Sequence, residues 1–96
     1  MATLRQHCFD GNLDEVRSAL ARGEDLNEKN PYGQTALICA VWKKRNPIVK
    51  LLLDQPGVKT NEKTNDGHTA LHCAAYNNNQ EGARMLLLHP SMDSSN

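Results

Sequence analysis

The side chains able to do chemistry are few, and their spacing limits what each could do. His7-Cys8 and His72-Cys73 are adjacent imidazole–thiol pairs, while Cys39 and His68 stand apart from them. A zinc centre needs clustered ligands, such as a Cys-x2-Cys pair with a second pair close by. Two lone pairs far apart in the chain do not supply that spacing. Neighbouring residues on a helix also point about 100° apart, so neither pair is a natural chelate. A Cys–His nucleophile on Cys73 is equally poor, because Cys39 stands 34 residues earlier in the same local context and packing as a small apolar side chain explains both. Such neighbouring helices lie about 8–10 Å apart, too far for an undistorted disulfide. His68 falls beside a turn glycine and suits surface contact better than proton transfer. Gly33 and Gly67 are isolated and make no phosphate cradle. The expectation is no catalytic residue, no metal ligand, no cofactor, and no enzyme activity.

The aromatic residues are more informative. There are four, Phe9, Tyr32, Trp42 and Tyr76, and three of them share a register. Phe9, Trp42 and Tyr76 each follow a leucine by five residues (Leu4, Leu37 and Leu71). Tyr and Trp dominate interface energetics when they are exposed, with losses of about 2 kcal/mol or more on truncation. The other reading of the row is that it packs one helix against the next within each unit.

That shared register implies elements that repeat. Gly33-Gln34-Thr35-Ala36-Leu37 returns as Gly67-His68-Thr69-Ala70-Leu71 after 34 residues, Cys39-Ala40 as Cys73-Ala74, Leu51-Leu52-Leu53 as Met85-Leu86-Leu87, and Pro56 as Pro90. A fainter earlier copy sets Leu4 33 residues before Leu37 and Asn27 34 before Asn61. Each copy reads as two helices. Thr35 and Thr69 are N-caps, worth about 1 kcal/mol each. Leu37, Ala40 and Val41 then fall on one helical face, as do Leu71, Ala74 and Ala75. The second helix is expected to start at an Asn46 cap with Pro47 at its first position, and at Asn12 in the first copy, with Asp14 and Glu15 in its first turn. Asn30-Pro31-Tyr32-Gly33 has the residues of a type I turn, and Thr64-Asn65-Asp66-Gly67 is a weaker version. A helix pair this small cannot bury its own apolar face, but stacked pairs can. A helical bundle without true repeats is the alternative, and the constant offset argues against it.

These residues resemble the ankyrin-repeat family: Gly-x-Thr-Ala-Leu-(Ile/His)-Cys-Ala, then the leucine block, then Asn27 and Asn61 closing the first two units. The resemblance implies an all-α solenoid of helix–turn–helix units joined by β-turn loops. It divides the chain into repeats at about 1–29, 30–63 and 64–96. It further implies a non-catalytic protein–protein interaction module, binding through the concave helix face and the turn tips. The residues so placed are Phe9, Trp42, Lys43, Tyr76 and Asn77 on the concave edge, and Tyr32, Gln34, Asn65, Asp66 and His68 at the turns. The alternative is a structural or regulatory segment of a larger enzyme, channel or scaffold. Asn27 is a candidate for asparaginyl hydroxylation, with bridging of loop backbone the other reading; Asn61, after Thr60, fits that pattern less well.

The sequence departs from the family in three ways. Ala36 and Ala70 replace the usual proline, which a helix tolerates. The histidine that ties neighbouring turns is present once, as His72, with Ile38 and Arg5 in its place elsewhere. Gly82 stands inside the second helix of the third copy, where glycine costs about 1 kcal/mol against alanine, so that repeat is expected to be the loosest. The third copy also lacks a polar outer face and leaves Met85, Leu86, Leu87 and Leu88 at risk of exposure. The first copy looks like a cap, with Arg5, Gln6 and Ser18 where the middle copy has Ile38, Cys39 and Leu51. The expectation is the amino-terminal part of a longer array, or an open end that pairs with another chain.

Composition excludes several classes. Eleven basic and 11 acidic residues give no net charge, unlike a domain held on nucleic acid by phosphate contacts. The apolar runs Ala36–Trp42 and Met85–Leu88 are far short of the ~20 residues that span a bilayer. Met1-Ala2-Thr3-Leu4-Arg5 has neither a signal-peptide core nor a myristoylation glycine. Three cysteines without a disulfide framework suit reduced thiols in a cytoplasmic or nuclear setting. Charge is uneven: residues 29–50 carry Lys29, Lys43, Lys44, Arg45 and Lys50 with no acid. That stretch could steer an acidic peptide, or it is an ordinary solvated loop.

Overall fold

The computed structural model describes residues 4–89; Pro90, the second of the paired prolines, lies outside them. Among these residues six helices follow one another: α1 (Leu4–Asp10), α2 (Leu13–Ala21), α3 (Ala36–Trp42), α4 (Asn46–Leu53), α5 (Ala70–Tyr76) and α6 (Gln80–Leu88). Among the described residues there is no strand.

Helices pack in pairs, α1 on α2, α3 on α4 and α5 on α6, and the pairs stack. First helices form one row, α1–α3–α5, and second helices another, α2–α4–α6. The stack is elongated, 36 × 24 × 21 Å. Its core is a single seam running through every pair, from Leu4, Cys8 and Val16 through Leu37, Val41, Ile48 and Leu52 to Ala70, Ala74 and Leu86. No pair encloses a core by itself, as the small apolar fraction of each unit requires. Helix α3 is flanked on both sides, and all six residues from Ala36 to Val41 are buried.

The N-caps are where the sequence places them for the first helices. Thr35 Oγ1 accepts from Ile38 N–H and Thr69 Oγ1 from His72 N–H. Both turns close with the expected bond, Gly33 N–H to Asn30 O and Gly67 N–H to Thr64 O. Gly33 has φ +82°, and a Cβ there would lie 2.7 Å from the backbone nitrogen of Asn65, so left-handed geometry and close packing both demand glycine.

Three expectations are corrected. The α4 cap is Arg45, not Asn46, and Asn46 Oδ1 is buried without a hydrogen bond. The first helical bonds, from Ile48 and Val49 N–H, go to Arg45 O at 2.9 Å, and the Arg45 side chain turns to the previous repeat, its Nε donating to Phe9 O at 3.3 Å. Gly82 has a packing role in α6 that the sequence does not announce. Asn79 caps α6 by accepting from Gly82 N–H at 3.0 Å while its Nδ2 donates to Val41 O at 3.1 Å. A Cβ on Gly82 would sit 2.6 Å from that nitrogen. Leu86 is wholly buried and Met85 partly buried, because α6 turns them onto α4 and α5; Leu87 and Leu88 are the residues left exposed.

Asparagines, a lysine and an arginine tie the repeats together. Asn27 Nδ2 donates to Gly57 O and its Oδ1 accepts from Lys59 N–H, both at 2.9 Å. Asn65 N–H donates to Tyr32 O and its Nδ2 to Pro31 O. Lys29 Nζ reaches Lys63 O and the Glu62 carboxylate, and this hydrogen bond holds the Glu62 carboxyl below its ordinary range. His72 stacks on His68 in its own repeat, with ring centroids 4.1 Å apart.

Candidate functional site

The first-helix row presents its C-terminal ends and the preceding turns on one side of the molecule. Two grooves open there, one at each junction between repeats. The larger, about 410 Å³, is lined by Tyr32, Gln34 and Trp42 of the second repeat and by Thr64, Asp66, His68, Cys73 and Tyr76 of the third. The other, about 330 Å³, is lined by Arg5, Gln6 and Phe9 of the first repeat and by Asn30, Tyr32, Gln34 and Cys39 of the second. Tyr32 and Gln34 belong to both, so the grooves adjoin.

The aromatic register appears here as a physical row. Trp42 and Tyr76 stack across the junction at 5.6 Å with planes 11° apart. Phe9 lies under the Lys43 ammonium, 4.8 Å from its ring centroid. All three stay exposed, Phe9 at 43%, Trp42 at 38% and Tyr76 at 78%, and so does Tyr32 at 71%. None belongs to the buried seam. The row is therefore built on the end of each first helix, beside the buried seam and not within it.

Six of the ten residues placed on the binding face by resemblance line the larger groove or both grooves: Tyr32, Gln34, Trp42, Asp66, His68 and Tyr76. Phe9 lines the smaller. Lys43 covers Phe9. The Asn65 amide is bonded to Pro31 O, and the Asn77 amide to Trp42 O, so both side chains join repeats. Sequence reasoning left out Thr64, Cys73, Asn30, Cys39, Arg5 and Gln6. For five of the six a signal was present: Gln6, Cys39 and Cys73 are one repeat position, and Asn30 and Thr64 another.

The thiols are the strongly perturbed titratable groups. Burial pushes Cys8 up to about 12, with a smaller contribution from Cys39. Burial likewise lifts Cys39 to about 11 and raises Cys73. All three are free, and such thiols are poor nucleophiles at neutral pH. Among the described residues no group of three or more His, Cys, Asp or Glu side chains is placed to hold a metal ion, and no helix is long and apolar enough to cross a membrane.

Stacked helix pairs on a shared seam, with capped turns and exposed groove residues at fixed offsets, define a helical-repeat solenoid. A family model of three ankyrin repeats matches residues 4–96, and the chain belongs to the ankyrin-repeat family. It is similar to an ankyrin repeat protein of Rickettsia bellii (strain RML369-C), 43% identical over 51 residues. The match covers 53% of this chain and 53% of that protein, so the chain spans about half the length of the relative it matches. Ankyrin repeats are in general protein–protein interaction modules and typically non-catalytic.

Proposed function

We propose that this chain binds a partner protein through the concave side of the stack, with the aromatic row and the turn tips as the contact surface. One observation carries the reading: Trp42 and Tyr76 are stacked on each other, exposed, and outside the seam that stabilises the fold. Ordered aromatic surface of this kind offers a partner large contact area at small entropic cost. The two adjoining grooves would accommodate an extended segment or loop crossing both junctions.

The test is site-specific cross-linking. A photo-reactive phenylalanine analogue at position 76 is expected to capture a discrete protein partner. The same analogue at Lys50, exposed on the second-helix row, is expected to capture little. Capture at 76 should fall when Trp42→Ala is added. Equal capture from both positions would contradict the reading.

A second reading has its own support. Leu53 is 7% exposed, whereas its counterpart Leu87 in the last repeat is 64% exposed. The far side of α5 and α6 therefore presents the surface that the middle repeat buries. In this reading the chain is a segment of a longer array or scaffold, and that face stacks on further protein.

A further inference from the structure

The two grooves differ in charge and in how their aromatic rings are covered. In the smaller, Phe9 already has a cation, since Lys43 Nζ stands over its ring at 4.8 Å. Electron-rich ring faces attract such charges. Trp42 occupies the position of Phe9 one repeat later, and the residue equivalent to Lys43 is Asn77. Asn77 carries no charge, and its amide is bonded to Trp42 O. No lysine or arginine lines the larger groove. Its wall includes the exposed carboxylate of Asp66, which forms no ion pair among the described residues. By contrast, Glu28 and Glu62 at the neighbouring turns are taken by Arg5 and Lys29.

We infer that the groove between the second and third repeats takes a lysine or arginine side chain of the partner, seated against Trp42, Tyr76 and Tyr32 with its charge toward Asp66. This inference rests on the concave-face reading above and names the chemistry of what binds there. A partner's cation does for Trp42 what Lys43 does for Phe9. The basic run at Lys43 and Lys44 does not compete for the role. Lys43 is spent on Phe9, and neither residue lines the groove. An acidic segment would instead meet Asp66.

The sequence contains a single tryptophan, so the Trp42 indole N–H resonance reports on this groove without ambiguity. The probes are acetylated, amidated five-residue peptides with Arg, Lys, Gln or Glu between pairs of alanines. The Arg and Lys peptides should shift the indole signal saturably. The Gln and Glu peptides should bind at least about fivefold more weakly. Asp66→Asn, at an exposed position that leaves the seam untouched, should bring the Arg peptide down to the level of the Gln peptide. An unchanged Arg titration in that variant would overturn the inference, as would no shift with any peptide. A Glu peptide that binds as well as Arg would also overturn it, but would leave the concave surface standing as a binding site. Loss of selective cross-linking from position 76, by contrast, would remove the surface itself.

Discussion

The middle and last repeats share a motif almost residue for residue, yet their side chains have different fates. Leu37 is 2% exposed and Val41 fully buried, while Leu71 is only partly buried and Ala75 is exposed. Leu53 is covered and Leu87 is not. Nothing within either repeat accounts for this. Among the described residues the middle repeat has a neighbour on each side, and the last has one, through α3 and α4. Burial in a solenoid is thus a property of the junction rather than of the unit. Any weakness of the third repeat is expected to come from this open side, and the Gly82→Ala variant tests the alternative source.

That comparison can be broken most directly at its equivalent leucines. Leu37→Ala should cost about 3 kcal/mol, as deletion from a fully packed site does. Leu71→Ala should cost about 1 kcal/mol, because water already reaches that side chain. Urea unfolding of the two variants measures both, and equal losses would contradict the account. Gly82→Ala sharpens it next. A helix-interior glycine normally gains about 1 kcal/mol on conversion to alanine. Here a loss of about 1 kcal/mol is expected, since the new Cβ would displace the Asn79 bridge to Val41 O.

At neutral pH the thiols give the smallest effects, and the effect of Cys8 grows only at alkaline pH. Cys8 is held neutral by burial, with its pKa moved from 9.0 to about 12. Its contribution is whole below pH 9 and is lost as pH rises, because the unfolded thiol ionises first and the unfolded state then binds fewer protons. Stability should fall by about 1 kcal/mol per pH unit just above that point, and Cys8→Ala should flatten the slope. In the native protein at neutral pH, a thiol reagent should label Cys73 before Cys39, because opening the last repeat alone frees Cys73.

Much of this was legible in the sequence because it is local or periodic. Thr35 and Thr69 cap as their positions dictate, the Asn30 turn closes as its residues demand, and the aromatic row follows from three residues at one offset. What was not legible depends on contacts between repeats. Asn79 reads as an ordinary loop residue until its amide is seen to reach Val41 O, 38 residues away. Arg45 takes the cap position expected of Asn46, and its side chain joins α1 by a bond to Phe9 O that no local pattern announces. Cys39 and Cys73 read as small packing residues, and they are buried as such, yet they also line the grooves. Groove lining is a relation between two repeats, and neither repeat encodes it alone.

The central claim is a division of labour: the seam holds the fold, and the aromatic row is left for a partner. The thermal midpoint of the double variant Trp42→Ala/Tyr76→Ala tests it. A stacked aromatic pair contributes about 0.5–1.5 kcal/mol beyond its burial, and 1 kcal/mol moves the midpoint of a domain this size by about 4–8 °C. The predicted drop is smaller than that of Leu37→Ala, even with the partial burial of Trp42 included. A drop equal to or larger than that of Leu37→Ala would show that the row belongs to the core and would contradict the account.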